Sequence, residues 1–462
     1  MSALSFDIQP PSSVDIRALR VRLNGDLVLP DDPDWDGARL AWNLAVDQRP
    51  FAVALVESEA DVVAVVQFAH VHGLRVAPQG TGHGASALEE LEDTILVKTE
   101  RLRKVEIDVG SRRVRVEAGA VWADVVEPAA AEGFVVLHGS SPDVGVVGYT
   151  LGGGMGWLAR SRGLAANSVT AVELVTADGI LVRADRENEP DLFWAVRGGG
   201  GSFGIVTAIE LELYETPELY AGVLFFPVER ASEVLHAWRE WVETVPEEVT
   251  SLGRILHLPP LPDIPEPVRG KSFVVVEAVF TGSEAEGAAL VEPLRALGPA
   301  MDTFAAVPPT ALPHLHMDPP KPVPGVGDGM FLDELPAEAV DAVVRTALPP
   351  LLSIEVRHLG GALARPSSEH GAVGSIDARF ALFAVGFAPT PEIGAAVDQA
   401  VDRVSDALAP WESIRRYFNF SERRVAADRL YPAESYRRLR RVKTVYDAGG
   451  LFVANHPIPS AS

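Results

Sequence analysis

LRVAPQGTGHGAS, Leu74 to Ser86, begins as a strand at Leu74–Val76–Ala77 and then becomes nearly bare backbone, Gln79-Gly80-Thr81-Gly82-His83-Gly84. Successive glycines let backbone N–H groups converge on an anion without side-chain obstruction. The spacing is G-x-G-x-G with no long helix directly after it, which is not the Rossmann fingerprint. A plain tight turn would use the same residues. What sets the loop apart is the single large, titratable ring at its centre, His83.

Two further glycine loops follow. HGSSPDVGVVGYTLGGGMG, His138 to Gly156, holds Gly145, Gly148, Gly152, Gly153, Gly154 and Gly156 among apolar Val144, Val146, Val147 and Leu151. That mixture suits backbone lying flat against a large planar ligand, or against a neighbouring element. RGGGGSFGIVT, Arg197 to Thr207, contains a formal G-x-S-x-G at Gly200–Gly204. A nucleophile elbow needs a strand before it and a helix after it; here the order is reversed, so Ser202 is set aside as a nucleophile.

Around these loops the pattern mixes α and β. DVVAVVQFAHVHG (61–73) has helical periodicity, an Asp at its start and Gly73 at its end. KVEIDVGSRRVRVEAGA (104–120) and VTAVELVTADGILVRA (169–184) read as hairpins turning at Gly110-Ser111 and Asp178-Gly179. VWADVVEPAAAEG (121–133) and ENEPDLFWAV (187–196) read as helices, and GIVTAIELELYETP (204–217) as one long alternating strand. Character changes after Pro217: helix-like ASEVLHAWREWVETV alternates with strand-like KSFVVVEAVFTG and RFALFAVGFAP, interrupted by two proline-rich loops. The last residues hold RRYFNF (415–420), read as an aromatic strand, then the helical PAESYRRLRRVKTVYD and LFVANHPIPS.

Composition bounds the partners. Of 462 residues, 64 are Asp or Glu against 40 Lys or Arg, a net charge of −24, which repels a phosphate backbone and speaks against nucleic acid. With no cysteine, disulfides, thiolate metal sites, iron–sulfur ligation and cysteine nucleophiles are excluded. The opening MSALSFDIQPPSSVDIRALR lacks a basic flank before an apolar core, and no apolar run reaches the ~20 residues that span a bilayer. The expectation is a cytoplasmic protein with no membrane partner, monomer or homodimer.

Four motifs taken together, VAPQGTGHGAS, PDVGVVGYTLGGGMGWLARSRGLAANSVTAVELVTADG, EPDLFWAVRGGGGSFGIVT and YRRLRRVKTVYDAGGLF, resemble the FAD-linked oxidases of the vanillyl-alcohol oxidase/p-cresol methylhydroxylase fold. Within that fold the chain is most similar to the berberine-bridge-enzyme-like group and the bacterial hydroxynicotine oxidases. The resemblance implies an α+β architecture: a two-lobed FAD-binding domain from residues 1–217 and 410–462, and a substrate domain, 218–409, with an antiparallel sheet covered by helices. It implies covalent FAD, with His83 bonded to the 8α-methyl of the flavin. Many relatives add a second bond through a cysteine; Ser141 stands there, so the tether is single. Val144 matches a gate residue whose small size goes with oxidase behaviour. The cofactor set so implied is Gln79, Gly80, Thr81, Gly82, His83, Gly84, Ser141, Val144, Gly145, Gly148, Gly152, Gly153, Gly204, Ile205, Val206 and Asn455.

The resemblance further implies a hydride passed from an alcohol, sugar, amine or secondary metabolite to FAD, which oxygen reoxidises to give hydrogen peroxide. Alternatives are a dehydrogenase or oxidative cyclase with another acceptor, or a non-catalytic FAD-binding protein. A base must take the substrate's proton. Tyr417, in a Y-x-N pattern with Asn419 on the same strand face, is the candidate, with Arg415 or Arg416 as the cation to ease its ionisation. His314, His316 and Asp318 in PHLHMD invite a metal reading, but a third strong ligand is not evident and no metal is expected; a loop at the substrate mouth fits them better. Arg357 or His358, on a strand-like stretch, is expected to face substrate.

Overall fold

The computed structural model describes residues 14–262, 264 and 266–461; the first thirteen residues, on which the signal-peptide reading chiefly rests, lie outside it. Three sheets organise the chain. The first has four strands in the order Asp26–Val28, Ala52–Leu55, Thr94–Lys98, Arg75–Gln79, the last three parallel. Parallel neighbours need a crossover, supplied by the helix Glu59–His72. Ser58, not Asp61, caps that helix: its side chain accepts from the Asp61 N–H, and Gly73 ends the helix in the left-handed conformation at φ +67°. Asp61 is buried instead, accepting the backbone N–H groups of Asn24, Gly25 and Glu57.

The second sheet is antiparallel, in the order Val105–Asp108, Arg113–Glu117, Ile205–Glu212, Val169–Val175, Leu181–Ala184, and contains both expected hairpins. The long strand expected to run to Pro217 breaks at Leu213, whose side chain turns into the core; Tyr214–Glu215 pairs with Phe134–Val135 instead. The helices Trp122–Ala131, Pro190–Val196 and Ala433–Tyr446 bury their apolar faces in this sheet's core. The C-terminal segment returns to the first sheet, where Phe452 bridges Val76 in parallel.

The third sheet has eight strands, running Met301–Asp302, Leu219–Pro227, Ser272–Thr281, Val249–His257, Ser353–His358, Phe380–Phe387, Gly325–Leu332, with Ala305–Ala306 beside Leu219–Pro227. Every pairing is antiparallel. Alternation decides its faces. Leu224, Phe226, Val274, Val276, Ile255, Ile354, Val356 and Leu382 pack with the helices Ala231–Trp241, Ala337–Thr346 and Pro391–Leu408. The opposite face carries Arg254, Glu277, Glu355 and Arg357, and is turned toward the glycine loops.

RRYFNF is not a strand. Tyr417 is extended, but Phe418–Phe420 forms a 3-10 turn. The β-favouring aromatics are drawn into separate contacts, Phe418 against His456 and Phe420 against Phe383, and those contacts override strand propensity.

Candidate active site

The strand Arg75–Gln79 delivers the first glycine loop. Gly82 sits at φ +85°, and a Cβ there would come 2.9 Å from the Cα of Ala41, so only glycine fits the turn. The turn presents His83. Its ring stacks on Trp42 with centroids 4.2 Å apart and planes 20° apart. Nδ1 lies 2.6 Å from the Thr81 hydroxyl. Nε2 is buried and finds no hydrogen-bond partner among the described residues; the nearest carboxylate oxygen, on Asp143, is 3.7 Å away. Asp143 is occupied by the Trp42 indole N–H at 2.6 Å and the Ser141 hydroxyl at 2.7 Å. Burial opposes its charge, but His83, Ser141 and Trp42 hold its carboxyl below the usual range.

The second loop meets the first at this point. A Cβ on Gly145 would touch the Thr81 side chain at 3.6 Å. Gly148 is exposed with open space where a side chain would stand, and Val144 is half-buried beside it. Asn455 donates to the Gly84 carbonyl, so the C-terminal segment closes on the first loop. Gly152 is pressed against Asn419, leaving no room for a Cβ, which would fall 1.8 Å from Oδ1. Gly153 faces the Tyr417 ring. Gly204 differs from these: a Cβ there would lie 2.8 Å from the Val175 carbonyl, so its lack of a side chain serves strand packing, and Ile205 and Val206 are buried in the first and second cores. Ser202 is buried, its hydroxyl accepting from the Ile458 N–H.

Tyr417 and Asn419 come together even though their strand does not exist. The Asn419 amide donates to the Tyr149 carbonyl at 2.9 Å and lies 3.4 Å from the Tyr417 hydroxyl. Burial pushes the phenol above its ordinary range; the backbone amides of Met155 and Gly154, Arg357 and Asn419 pull the other way. The expected cations are elsewhere: Arg415 pairs with Asp377 and Arg416 with Glu412. The cation that acts on Tyr417 is Arg357, stacked over Phe420 at 5.0 Å, whose ring is 5.2 Å from that of Tyr417.

Arg357 belongs to a buried ionic lattice whose Arg254, Glu277 and Glu355 sequence reasoning missed. Its Nε donates to Glu355 at 2.7 Å. His316 bridges two strands, Nδ1 to Glu277 at 2.6 Å and Nε2 to Glu355 at 2.8 Å. Arg254 donates to the His316 carbonyl at 2.8 Å and lies 3.3 Å from Glu277. Both imidazole nitrogens face carboxylates, so both carry protons. Burial and Arg254 oppose that charge, but Glu277, Asp318 and Glu355 raise His316 to about 9. Glu355, although buried, is held far below the usual carboxylate range by Arg357 and His316. Ser140 donates to Asp318 at 3.1 Å, tying the His316 loop to the second glycine loop. The alternating PHLHMD and IEVRH patterns were the available signal; Arg254 and Glu277 had none. His358 turns to Arg160 instead. No group of three or more such side chains among the described residues is arranged to hold a metal ion.

Residues 50–185 match the family described as the FAD binding domain. The chain is 33% identical to (R)-6-hydroxynicotine oxidase of Paenarthrobacter nicotinovorans over 208 residues, a match spanning 45% of each chain, so less than half of that relative is covered. It is 25% identical over 455 residues to the uncharacterized FAD-linked oxidoreductase YgaK of Bacillus subtilis (strain 168), covering 95% of this chain and 98% of that one. The solved structure of Physcomitrella patens BBE-like 1 superposes with a TM-score of 0.83 at 18% identity, over 96% of this chain and 99% of that one, which is a likeness of fold. The chain thus carries an FAD binding domain over residues 50–185, is similar along its length to an FAD-linked oxidoreductase, and has the vanillyl-alcohol oxidase/p-cresol methylhydroxylase fold.

The residues at this place fit FAD. The unpartnered Nε2 of His83, the open space at Gly148 and the meeting of two glycine loops with Asn455 suit a nucleotide held by backbone donors. No helix among the described residues is long and apolar enough to cross a membrane.

Proposed function

We propose that this oxidoreductase is an oxidase carrying FAD bonded through His83. The observation that carries the reading is His83 itself: a ring fixed in plane by Trp42 and Thr81, one nitrogen buried and unsatisfied, at the junction of two glycine loops. When bound, FAD supplies hydride acceptance from the substrate carbon and electron transfer to oxygen, with hydrogen peroxide as product. The substrate is an alcohol, sugar, amine or secondary metabolite; the relative named (R)-6-hydroxynicotine oxidase acts, by its name, on hydroxynicotine.

The protein supplies position and charge. Tyr417 acts as base in its ionised form: the phenolate, stabilised by Asn419, two backbone amides and the field of Arg357, takes the substrate's hydroxyl or amine proton and becomes the neutral phenol. Val144 and Gly148 leave one side of the cleft open for oxygen. The same reading assigns residues 1–217 and 410–462 to the FAD-binding domain and 218–409 to the substrate domain. In its support, the first two sheets take their strands from within residues 26–212 and the third from residues 219–387.

Mass spectrometry of the denatured protein tests the tether. The expected mass increase is one FAD, mapped to the peptide containing His83 and absent from His83→Ala; complete release of flavin by acid from loaded wild-type protein would refute it. Anaerobic reduction by substrate followed by mixing with air tests the acceptor. Rapid reoxidation with peroxide is expected, and slow reoxidation would assign another acceptor.

A further inference from the structure

Two lysines are buried among the described residues, Lys98 and Lys443. Lys443 is neutralised by Asp447. Lys98 has no ion pair among the described residues: its ammonium donates to the Leu40 carbonyl at 2.7 Å and to Gln79 Oε1 at 3.1 Å. Arg160 and Arg197 are also buried without a carboxylate, but a guanidinium spreads its charge and is weakly hydrated. A compact ammonium keeps the full cost of leaving water unless an anion meets it.

The contacts of Lys98 have a sense. Because the ammonium can only donate, it fixes the oxygen of Gln79 toward itself and the Gln79 NH₂ toward Gln48, where that NH₂ donates to Oε1 at 3.0 Å. The Gln48 NH₂ is thereby left as a donor, and it is buried with no acceptor. A cation without an anion and a donor without an acceptor thus stand in one chain of contacts. That chain lies at the root of the first glycine loop. Gln79 and Lys98 are register partners in the parallel sheet, Gln79 directly precedes Gly80, and a Cβ on Gly82 would come 3.1 Å from the Gln79 amide carbon. Around it the protein carries a net charge of −24, which opposes any bound anion.

We propose that Lys98, oriented by Gln79 and Gln48, is the counter-charge that lets this acidic protein hold the pyrophosphate of FAD on the Gly80–Gly84 loop. The proposal rests on FAD binding, and does not require that the enzyme be an oxidase or that the tether exist.

The test uses the full chain carrying His83→Ala, so that flavin exchanges, and measures binding of FAD, ADP and riboflavin by fluorescence and calorimetry. Lys98→Gln is expected to weaken FAD and ADP by about tenfold or more while leaving riboflavin unchanged. Lys98→Arg is expected to recover most of the loss, and the parent is expected to lose affinity for ADP more steeply with salt than Lys98→Gln does. If Lys98→Gln folds poorly, the comparison of Lys98→Arg with Lys98→Met at matched thermal stability carries the same test. FAD and ADP affinities within twofold of the parent in a folded charge-removed variant, or an equal loss for riboflavin, would overturn the proposal.

Discussion

Tyr417 is placed where burial disfavours its ionised form, so its value as a base depends on what stabilises the phenolate. Removing the hydroxyl while keeping the ring isolates that role: Tyr417→Phe is expected to lower kcat/KM by about 10²- to 10⁴-fold with flavin content and its visible spectrum unchanged, checked by steady-state kinetics beside a flavin-to-protein ratio. His316 makes a different prediction. Its protonated form is favoured in the folded chain, up to about 9, so the stability it contributes is complete below ~6.5 and is lost as pH rises toward 9. Melting temperature measured across that interval should fall with pH in the wild type, and His316→Gln should be less stable at pH 6 and flatter above it. As candidates, His83, Tyr417 and Asn419 were legible because each sits in a dense local motif. Arg254 and Glu277 were not: the lattice takes residues from four segments of the chain, and only strand register makes them neighbours.

Elements followed the local physics where it was strong. Turn residues at Asp178-Gly179 and Gly110-Ser111, and the glycine stop at Gly73, lie where the hairpins and the helix end. The cap of the helix Glu59–His72 was misplaced by three residues, since two oxygen-bearing side chains, Ser58 and Asp61, stand within one turn and only tertiary contacts decide which faces inward. Ser58→Ala should therefore cost about 1 kcal/mol, measured by urea denaturation, whereas Asp61→Ala should cost more because it strands three backbone N–H groups. RRYFNF failed as a strand for the opposite reason: its three aromatics find partners in different directions, which a pleated strand with two faces cannot supply.

At the scale of the molecule, the cleft is built from separated pieces: the first loop, the second loop, the Tyr417 turn and Asn455. A ligand that contacts all of them links their unfolding. In the His83→Ala protein, FAD at a hundredfold excess over its Kd is expected to add about 2.7 kcal/mol to folding stability, seen as a higher melting temperature in differential scanning calorimetry. The middle region was the least legible, because its helix-facing residues repeat a generic alternation and its other face mixes charge with apolar side chains in a pattern that no local spacing explains.

The pairing of Phe452 with Val76, and of Asn455 with Gly84, has a consequence for biosynthesis. A nascent polypeptide from which residues 433–461 have yet to emerge already displays its histidine but lacks the segment that closes on the glycine loop beside it. On the reading that FAD sits there, its capture waits for that segment, and a polypeptide truncated before residue 452 is expected to be colourless however intact the upstream loops.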